Sequence, residues 1–311
     1  MDEPNEVCLG SKGWVEYVDN NEGLGLCRYF WPAEGKAKAV ILCVHGHGGH
    51  MQFEFLKLVS PGQPLVYEGS WIQHFNKLGF SVCGHDHQSH GLSQGAKGLR
   101  CYFNKFQDFV DDLLDFGRWL KDTSDTQGFS GLPVFLLGKS LGGCIATNAI
   151  HQQGDLFKGA VLLAPMLSLE KVSKQGLNPY LRPIASILSW VTPSLPVAEV
   201  KANKMFPLIQ EAYDRDVACW HKFTRARVAA EYLKATEETC NAMKDMNFPF
   251  LVVHSSKDDM TDPDGSKQLH EQSQAEDKTL QMMDDMWHFL IKEPGNERIR
   301  DMTVEWLSAR V

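Results

Sequence analysis

The sequence predicts an α/β fold in which helices flank an eight-stranded, mostly parallel sheet. Three observations support this prediction. Short apolar runs, typical of strands buried on both faces, recur along the chain. Segments with helical periodicity alternate with these runs, which favours parallel strands joined by right-handed crossovers. One long proline-rich segment interrupts the alternation and indicates an insertion.

The predicted strands begin with a hairpin and continue as six apolar runs. KGWVEYV and LGLCRYF enclose DNNEG, a pattern typical of an antiparallel hairpin. The later runs are KAVILCV (38–44), GFSVCG (79–84), PVFLLG (133–138), GAVLLA (159–164), FPFLVVH (248–254) and TLQMM (279–283). Together with the hairpin, they supply eight strands.

Helical patterns lie between these runs. Residues 105–120 place apolar side chains near helical spacing, and residues 141–154 form a small-residue helix that ends at a glycine. The C-terminal segment IRDMTVEWLSARV is a further helix. Each helix follows a predicted strand, as crossover connections require.

The proline-rich segment divides the chain into a core and an insert. No strand-like run is recognisable between Pro165 and about residue 247, and residues 217–240 resemble one long helix. We predict an α/β core from residues 1–165 and 242–311, with residues 166–241 as a helical cap over the functional edge of the sheet.

The charge of the insert differs from that of the rest of the chain. From Met166 to Lys234 there are ten Lys/Arg and six Asp/Glu, a net charge of +4 in a chain of net charge −8. A basic, partly apolar cap could rest peripherally on an anionic membrane. An ordinary solvated helical surface explains the same charge equally well.

Composition narrows the class of protein. The chain has 311 residues, 43% of them hydrophobic and 23% charged, which is typical of a globular protein. Its negative net charge argues against a nucleic-acid partner. The N-terminus lacks the features of a signal peptide, no apolar run has the length of a membrane span, and eight cysteines include no CxxC pair. We therefore expect a cytoplasmic protein with reduced thiols.

Gly-x-Ser-x-Gly, the pattern of a nucleophile elbow, occurs twice. One copy is centred on Ser140 and the other on Ser93. An elbow needs a strand before the serine and a helix after it, so that the hydroxyl projects from the carboxyl edge of the sheet. Only Ser140 has both, with PVFLLG before it and LGGCIATNAI after it. We predict that Ser140 is the nucleophile and that Ser93 lies in a structural loop.

An acid and a base should follow the nucleophile in the order Ser, Asp/Glu, His. The run FPFLVVH leads into SSKDDMTDPDG, which offers aspartates at positions 258, 259, 262 and 264. The last strand leads to His288, whereas His270 falls within a helical pattern. We expect His288 to accept the proton of Ser140 and one of the aspartates to orient its imidazole.

Backbone N–H groups should form the oxyanion hole. One donor is expected from Leu141, the residue after the nucleophile, and the second from the loop His45-Gly46-His47-Gly48-Gly49-His50. The natural second donor is the N–H of His47, which leaves the side chain of His47 without an assigned role.

These motifs resemble those of the monoacylglycerol lipase-like, or lysophospholipase-like, family of α/β-hydrolases. HGHGGH is similar to the family's HGxGEH, DHQSHGLSQG to DHxGHGxSxG, and GKSLGG to GxSxGG. SSKDDMTDP is similar to its acid loop, and that alignment selects Asp258. The resemblance also implies the α/β-hydrolase fold, a lipase-type cap and no cofactor. The implied reaction is cleavage of monoacylglycerol or lysophospholipid-type acyl esters through a Ser-His-Asp triad and an acyl-enzyme.

The chain also departs from the family pattern. Gly49 stands where a Glu is usual, Ser89 replaces a Gly, and Lys139 precedes the nucleophile where His or Glu is common. Residues 53–68 are longer than the usual loop. These differences leave a general carboxylesterase or an acyl-protein thioesterase as alternatives, since both share the catalytic residues.

Two alternatives lie outside serine hydrolysis. Histidines 45/47/50 and 85/87/90 each spell H-x-H-x-x-H, and HDHQSH resembles a metallo-hydrolase motif. However, Ser89 occupies the position of that motif's Asp, and the lipase-like loops account for all six histidines, so no metal site is predicted. A non-catalytic binding protein would lack a triad member, whereas all three positions are filled here.

Overall fold

The structure, a computed structural model, describes residues 4–122, 128–173 and 188–311. An eight-stranded sheet forms its centre, from the strands β1 (Trp14–Asp19), β2 (Gly25–Trp31), β3 (Ala39–Val44), β4 (Phe80–His85), β5 (Val134–Lys139), β6 (Gly159–Leu163), β9 (Phe250–Ser255) and β10 (Lys278–Met283). The remaining strands, β7 (Pro196–Glu199) and β8 (Phe223–Arg225), form a separate small sheet. The order in the central sheet is β1-β2-β4-β3-β5-β6-β9-β10. Strands β1 and β2 are antiparallel to each other, β2 is antiparallel to β4, and all other pairs of this sheet are parallel. The predicted eight-stranded, mostly parallel α/β fold is confirmed.

The central strands are apolar throughout because both faces of the sheet are covered. Every residue of β3 is buried, and alternate residues enter different apolar clusters. Val40 and Leu42 face one layer of helices, whereas Ile41 and Cys43 face the other. The edge strand β10 is only partly buried. Continuous hydrophobicity in the sequence therefore corresponds to a central position in the sheet.

The helices of the described residues lie on both faces of the sheet and in the insert. They include Glu6–Leu9, Met51–Phe55, Trp71–Lys77, Phe106–Asp122, Leu141–Gln152, Glu170–Ser173, Pro207–Arg215, Ala226–Ala242, Pro263–Gln272 and Asn296–Ser308, with short 3₁₀ turns between some of them. Residues 188–191 are also helical. The helices predicted from residues 105, 141 and 299 are all present with shifted ends. None of these described helices combines the length and apolar character needed to cross a membrane.

The insert differs from its prediction in two respects. It contains a two-stranded antiparallel sheet of β7 (Pro196–Glu199) and β8 (Phe223–Arg225), where no strand was expected. The single helix predicted for residues 217–240 is wrong, because the chain first forms β8 and the helix covers Ala226–Ala242. β7 is mostly exposed, and β8 is only three residues long with partly buried or buried side chains, so neither strand carries an apolar run. Residues 174–187 of the predicted cap lie outside the described residues, and its boundaries stay a prediction.

Candidate active site

Ser140 occupies a sharp turn between β5 and the helix Leu141–Gln152, here called the elbow helix. Its backbone has φ 55° and ψ −119°, a conformation that side chains rarely adopt. A side chain at Gly138 would approach the carbonyl oxygen of Gly142 to 2.5 Å, and one at Gly142 would overlap the carbonyl oxygen of Val44. The two glycines therefore leave room for a strained serine at the end of a central strand, as a nucleophile elbow requires.

His288 lies between Ser140 and Asp258. Its Nε2 is 2.9 Å from the Ser140 Oγ, and its Nδ1 is 2.7 Å from Oδ2 of Asp258. A carboxylate only accepts hydrogen bonds, so Nδ1 carries the proton and Nε2 is left to accept the proton of the serine. All three residues are buried. The structure thus brings together the serine, histidine and aspartate selected from the sequence, although they are far apart along the chain.

The electrostatics of the three groups suit proton transfer. Burial would raise the pKa of Asp258, but the charge and hydrogen bonds of His288 and His254 outweigh it and hold that pKa well below its usual range. Burial lowers the pKa of His288, Asp258 opposes this, and the positive charge of Lys139 lowers it further. At neutral pH the aspartate is ionised and the imidazole is a neutral base.

The acid loop separates Asp258 from the other three aspartates. Oδ1 of Asp258 accepts the N–H groups of Met260 and Thr261 at 2.8 and 3.1 Å, and Oδ2 faces Nε2 of His254 at 3.0 Å. The side chains of the other three candidate aspartates bind other groups. Asp259 binds the indole of Trp287 and the ammonium of Lys201, Asp262 caps the helix Pro263–Gln272, and Asp264 pairs with Lys171 and Lys267. His270 lies within that same helix.

The segments expected to supply the oxyanion donors lie beside Ser140. Leu141 is the first residue of the elbow helix, where backbone N–H groups have no partner within the helix. A Cβ at Gly46 would be 3.2 Å from the Cβ of Ser140, so the loop 45–50 packs directly against Ser140. Residues of the insert contact this loop, since the Tyr232 hydroxyl is 2.8 Å from Nδ1 of His47.

A buried ion pair beneath the site was not expected from the sequence. The Lys139 Nζ lies 3.2 Å from Oε1 of Glu54, and both side chains are almost completely buried. A Cβ at Gly49 would approach the same carboxylate oxygen to 2.7 Å. The carboxylate of Glu54 therefore lies beside position 49, where the family pattern has a Glu.

A second buried carboxylate holds the loop that carries His288. The side chain of Glu293 accepts the backbone N–H groups of Trp287, His288 and Phe289 at 2.6, 3.0 and 2.7 Å. The three donors come from consecutive residues, so one side chain fixes the backbone on both sides of the imidazole. Sequence reasoning missed Glu293 because an acid five residues after a histidine has no characteristic pattern.

The histidines of the two H-x-H-x-x-H motifs do not converge within either motif. Among the described residues, two groups have ligand atoms that all lie within 4.8 Å of one another: His47 with His90 and Cys101, and His50 with Asp216 and Cys219. Neither group contains three histidines of one motif. The arrangement therefore does not support the metallo-hydrolase alternative, which requires a converging HDHQSH motif.

Comparisons with known proteins place the chain in a family. The family profile Hydrolase_4, described as serine aminopeptidase S33, matches residues 35–295. "Monoglyceride lipase" of Rattus norvegicus is 29% identical over 304 residues, covering 96% of this chain and 91% of that protein.

Two solved structures share the fold. The monoacylglycerol lipase of Paleococcus ferrophilus has a TM-score of 0.72 at 21% identity, over 93% of this chain and 99% of that one. A soluble variant of the Saccharomyces cerevisiae monoglyceride lipase, in complex with a substrate analogue, has a TM-score of 0.77 at 18% identity, over 98% and 97%.

Proposed function

The chain belongs to the serine aminopeptidase S33 family of hydrolases, and we propose that it cleaves monoacylglycerol or lysophospholipid-type esters with Ser140 as nucleophile. The coarser conclusion, a lipid ester hydrolase of the α/β-hydrolase fold, follows from the family and from relatives named for lipase activity. The observation that carries the finer proposal is the continuous hydrogen-bonded path from Ser140 through His288 to Asp258.

The proposed reaction has two steps. His288 Nε2 takes the hydroxyl proton while the Ser140 Oγ attacks the ester carbonyl carbon. The N–H groups of His47 and Leu141 stabilise the resulting oxyanion. His288 then protonates the leaving alcohol, which departs and leaves an acyl-serine. In the second step His288 deprotonates a water molecule, which attacks the acyl carbon, and the proton returns to Ser140 as the fatty acid is released.

Burial supports a substrate with an acyl chain. The side chains of Ser140 and His288 are only 8% and 2% exposed, so the reacting carbonyl has to enter beneath the surface. The loop 45–50, beside Ser140, also contacts the insert, because Trp220 donates its backbone N–H to the carbonyl oxygen of Gly48 at 2.7 Å. A site covered in this way excludes water and favours an apolar substrate.

The test is a substrate panel on wild type and Ser140→Ala. It contains monoacylglycerols, lysophospholipids, p-nitrophenyl esters of graded chain length, an S-acylated peptide and an amino-acid anilide. We expect the highest kcat/KM for a long-chain monoacylglycerol or lysophospholipid, and nearly complete loss in Ser140→Ala. A preference for short p-nitrophenyl esters would favour a general carboxylesterase instead. A preference for the S-acylated peptide would favour an acyl-protein thioesterase.

We also propose that the insert touches a membrane surface peripherally. Of the eleven large apolar side chains exposed in the described residues, six lie in the insert: Trp190, Val191, Leu195, Met205, Leu208 and Val217. The sequence of the insert is also weakly basic: Met166 to Lys234 has a net charge of +4, and Glu237 and Glu238 reduce it to +2 over residues 166–241. Apolar groups that enter the interface, together with basic groups that attract anionic lipid, are the two contributions to peripheral binding.

Vesicle flotation tests this second proposal. We expect wild type to bind vesicles containing phosphatidylserine more strongly than neutral ones, and Trp190→Ser/Leu208→Ser to bind both weakly. The matched control is Val59→Ser/Leu78→Ser, two exposed apolar residues outside the insert. Equal binding by wild type and both variants, or no dependence on lipid charge, would contradict the proposal.

A further inference from the structure

Two histidines and a cysteine lie together beside the loop 45–50. His47, His90 and Cys101 each offer one ligand atom, and these three atoms all lie within 4.8 Å of one another. The Nε2 atoms of both histidines are buried. Within the described part of the chain, neither Nε2 atom has a hydrogen-bond partner. Leaving a buried polar atom unpaired has a free-energy cost, so such atoms need an explanation. The proposed ester hydrolysis uses neither of them.

The neighbours of both rings leave Nε2 available as a ligand atom. His90 Nδ1 is 2.9 Å from the carbonyl oxygen of Gln88, which can only accept, so the ring proton is on Nδ1 and Nε2 has a free lone pair. Nδ1 of His47 faces the Tyr232 hydroxyl, which can donate or accept. Burial lowers the pKa of His90 to about 4 and that of His47 to about 3, so both rings are neutral at pH 7.

The second group, His50 with Asp216 and Cys219, differs in that its imidazole nitrogen already has a partner. There, Nε2 of His50 already lies 3.1 Å from Oδ2 of Asp216, and the carboxylate also accepts the N–H of Ala218 at 2.8 Å. That group forms an internal ion pair that satisfies its own polar atoms. It serves as a natural comparison, because it has similar ligand types but no unpaired imidazole nitrogen on His50.

We propose that His47, His90 and Cys101 bind a divalent cation of the zinc class, and that its binding inhibits the hydrolase. Two neutral imidazoles and a thiolate are ligands that Zn²⁺ prefers, with bonds of about 2.0–2.1 Å to nitrogen and about 2.3 Å to sulfur. Ligand atoms of one tetrahedral ion lie about 3.3–3.8 Å apart, so the side chains would move inwards by about 1 Å. A water molecule takes the fourth position.

The surroundings supply hydrogen bonds that orient the two imidazole rings. The Gln88 carbonyl and the Tyr232 hydroxyl hold the outer nitrogens of the two rings, as hydrogen-bonding groups do around metal-bound histidines. Burial raises the pKa of Cys101 to about 12, whereas the charges of Arg100 and Arg225 favour its thiolate. Zinc binding displaces the thiol proton to solvent and replaces it with the Zn–S bond.

Inhibition follows from the position of His47. Its backbone N–H is the proposed second oxyanion donor, and its ring would be pulled towards the ion. A displacement of about 1 Å in an oxyanion donor can lower the rate on the order of 100-fold. This consequence depends on the proposed function, whereas the binding of zinc does not.

Equilibrium dialysis of the metal-free protein against Zn²⁺ tests the site directly. We expect one tightly bound zinc ion per chain, and binding weakened at least about 100-fold in Cys101→Ser and in His90→Gln. The matched control Cys219→Ser alters the other histidine–cysteine group and should bind as wild type does. With Co²⁺ in place of zinc, the thiolate-to-metal absorption band should be present in wild type and Cys219→Ser and absent in Cys101→Ser. Circular dichroism confirms that each variant is folded.

The outcomes separate this inference from the proposed function. The absence of a tight zinc ion in wild type would overturn the site, as would a loss of binding in Cys219→Ser instead of Cys101→Ser. Ester hydrolysis that falls on adding zinc in wild type, but not in Cys101→Ser, supports the inhibition; unchanged hydrolysis with zinc bound overturns it. A wild type without esterase activity contradicts the proposed function and leaves the dialysis result unaffected.

Discussion

The two Gly-x-Ser-x-Gly segments share a sequence pattern but place their serines in different surroundings. The Ser93 hydroxyl accepts the backbone N–H of Cys27 at 2.9 Å and donates to the carbonyl of Asp86 at 2.5 Å. Both hydrogen-bonding functions of that hydroxyl are therefore used to join a loop to β2. The Ser140 hydroxyl faces an imidazole nitrogen instead. A serine is a candidate nucleophile when its hydroxyl is not bonded to backbone groups and instead faces a base that can activate it.

The glycines of the two segments have the same purpose. In the Ser93 segment, a side chain at Gly91 would overlap the carboxylate of Asp86, and one at Gly95 would overlap the side chain of Ser89. In the Ser140 segment, Gly142 is equally constrained by the backbone of β3. Close packing alone thus explains why the pattern occurs twice. Reactivity depends on the serine's partners, which the pattern does not specify.

The largest expected difference between the two segments is in activity. Ser140→Ala removes the proposed nucleophile, so we expect kcat/KM for the preferred ester to fall on the order of 10⁵-fold. Ser93→Ala removes only hydrogen bonds to backbone groups, so kcat/KM should stay within about tenfold of wild type. Initial rates and fluorophosphonate labelling measure both variants. Labelling that persists in Ser140→Ala and disappears in Ser93→Ala would reverse the assignment.

The next effect concerns what makes Ser140 reactive. Asp258→Asn places an amide against Nδ1 of His288 and favours the wrong imidazole tautomer, so kcat should fall on the order of 10⁴-fold. Asp259→Asn is the matched control, because Asp259 contacts Trp287 and Lys201 and not the imidazole. We expect its kcat to change by less than about tenfold. A larger loss in the control would move the acid to the adjacent residue.

The effects of the two substitutions on stability should be the reverse of their effects on activity: Ser93→Ala should destabilise the protein more than Ser140→Ala. Ser93→Ala leaves a buried N–H and a buried carbonyl without their partner, which should lower the free energy of unfolding by about 1–3 kcal/mol. Ser140→Ala removes a hydroxyl that no backbone group needs, so the change should be within about 0.5 kcal/mol. Denaturant titration with intrinsic fluorescence provides both values. Equal destabilisation would mean that the Ser140 hydroxyl also has a structural role.

The sequence predicted the parts of the fold that have a local signal. Eight strands could be located because central strands are continuous apolar runs, and the Ser140 elbow could be chosen from its flanking strand and helix. The strands Pro196–Glu199 and Phe223–Arg225 were missed because they are too short to form an apolar run, with four and three residues. Glu54 and Glu293 were missed for a different reason, since their roles arise only from tertiary contacts. A buried carboxylate and a solvated one look alike in a sequence.

The smallest expected effect is on the pH dependence of kcat/KM, and it comes from the charge of Lys139, the residue before Ser140. The residue before Ser93 is the uncharged Leu92. The positive charge of Lys139 lowers the pKa of His288, in addition to the larger effect of burial. Because His288 must be neutral to accept a proton, kcat/KM should rise with pH through that pKa, with its acid limb below the ordinary value of about 6.5. Removing the charge raises the pKa, so Lys139→Met should shift the limb to higher pH by less than about one unit.

Two further variants isolate this electrostatic contribution. Lys139→Met leaves the buried carboxylate of Glu54 unpaired, and that negative charge would raise the pKa of His288 in the same direction. The double variant Glu54→Gln/Lys139→Met removes both charges, so its limb should lie between those of wild type and the single variant. Lys139→Arg keeps the charge and should leave the limb close to wild type. Profiles of kcat/KM from pH 4 to 9 measure the order of the acid limbs in the four proteins. Loss of a nearby positive charge can only stabilise the imidazolium. An acid limb that moves to lower pH in Lys139→Met would therefore contradict the assigned role of the lysine.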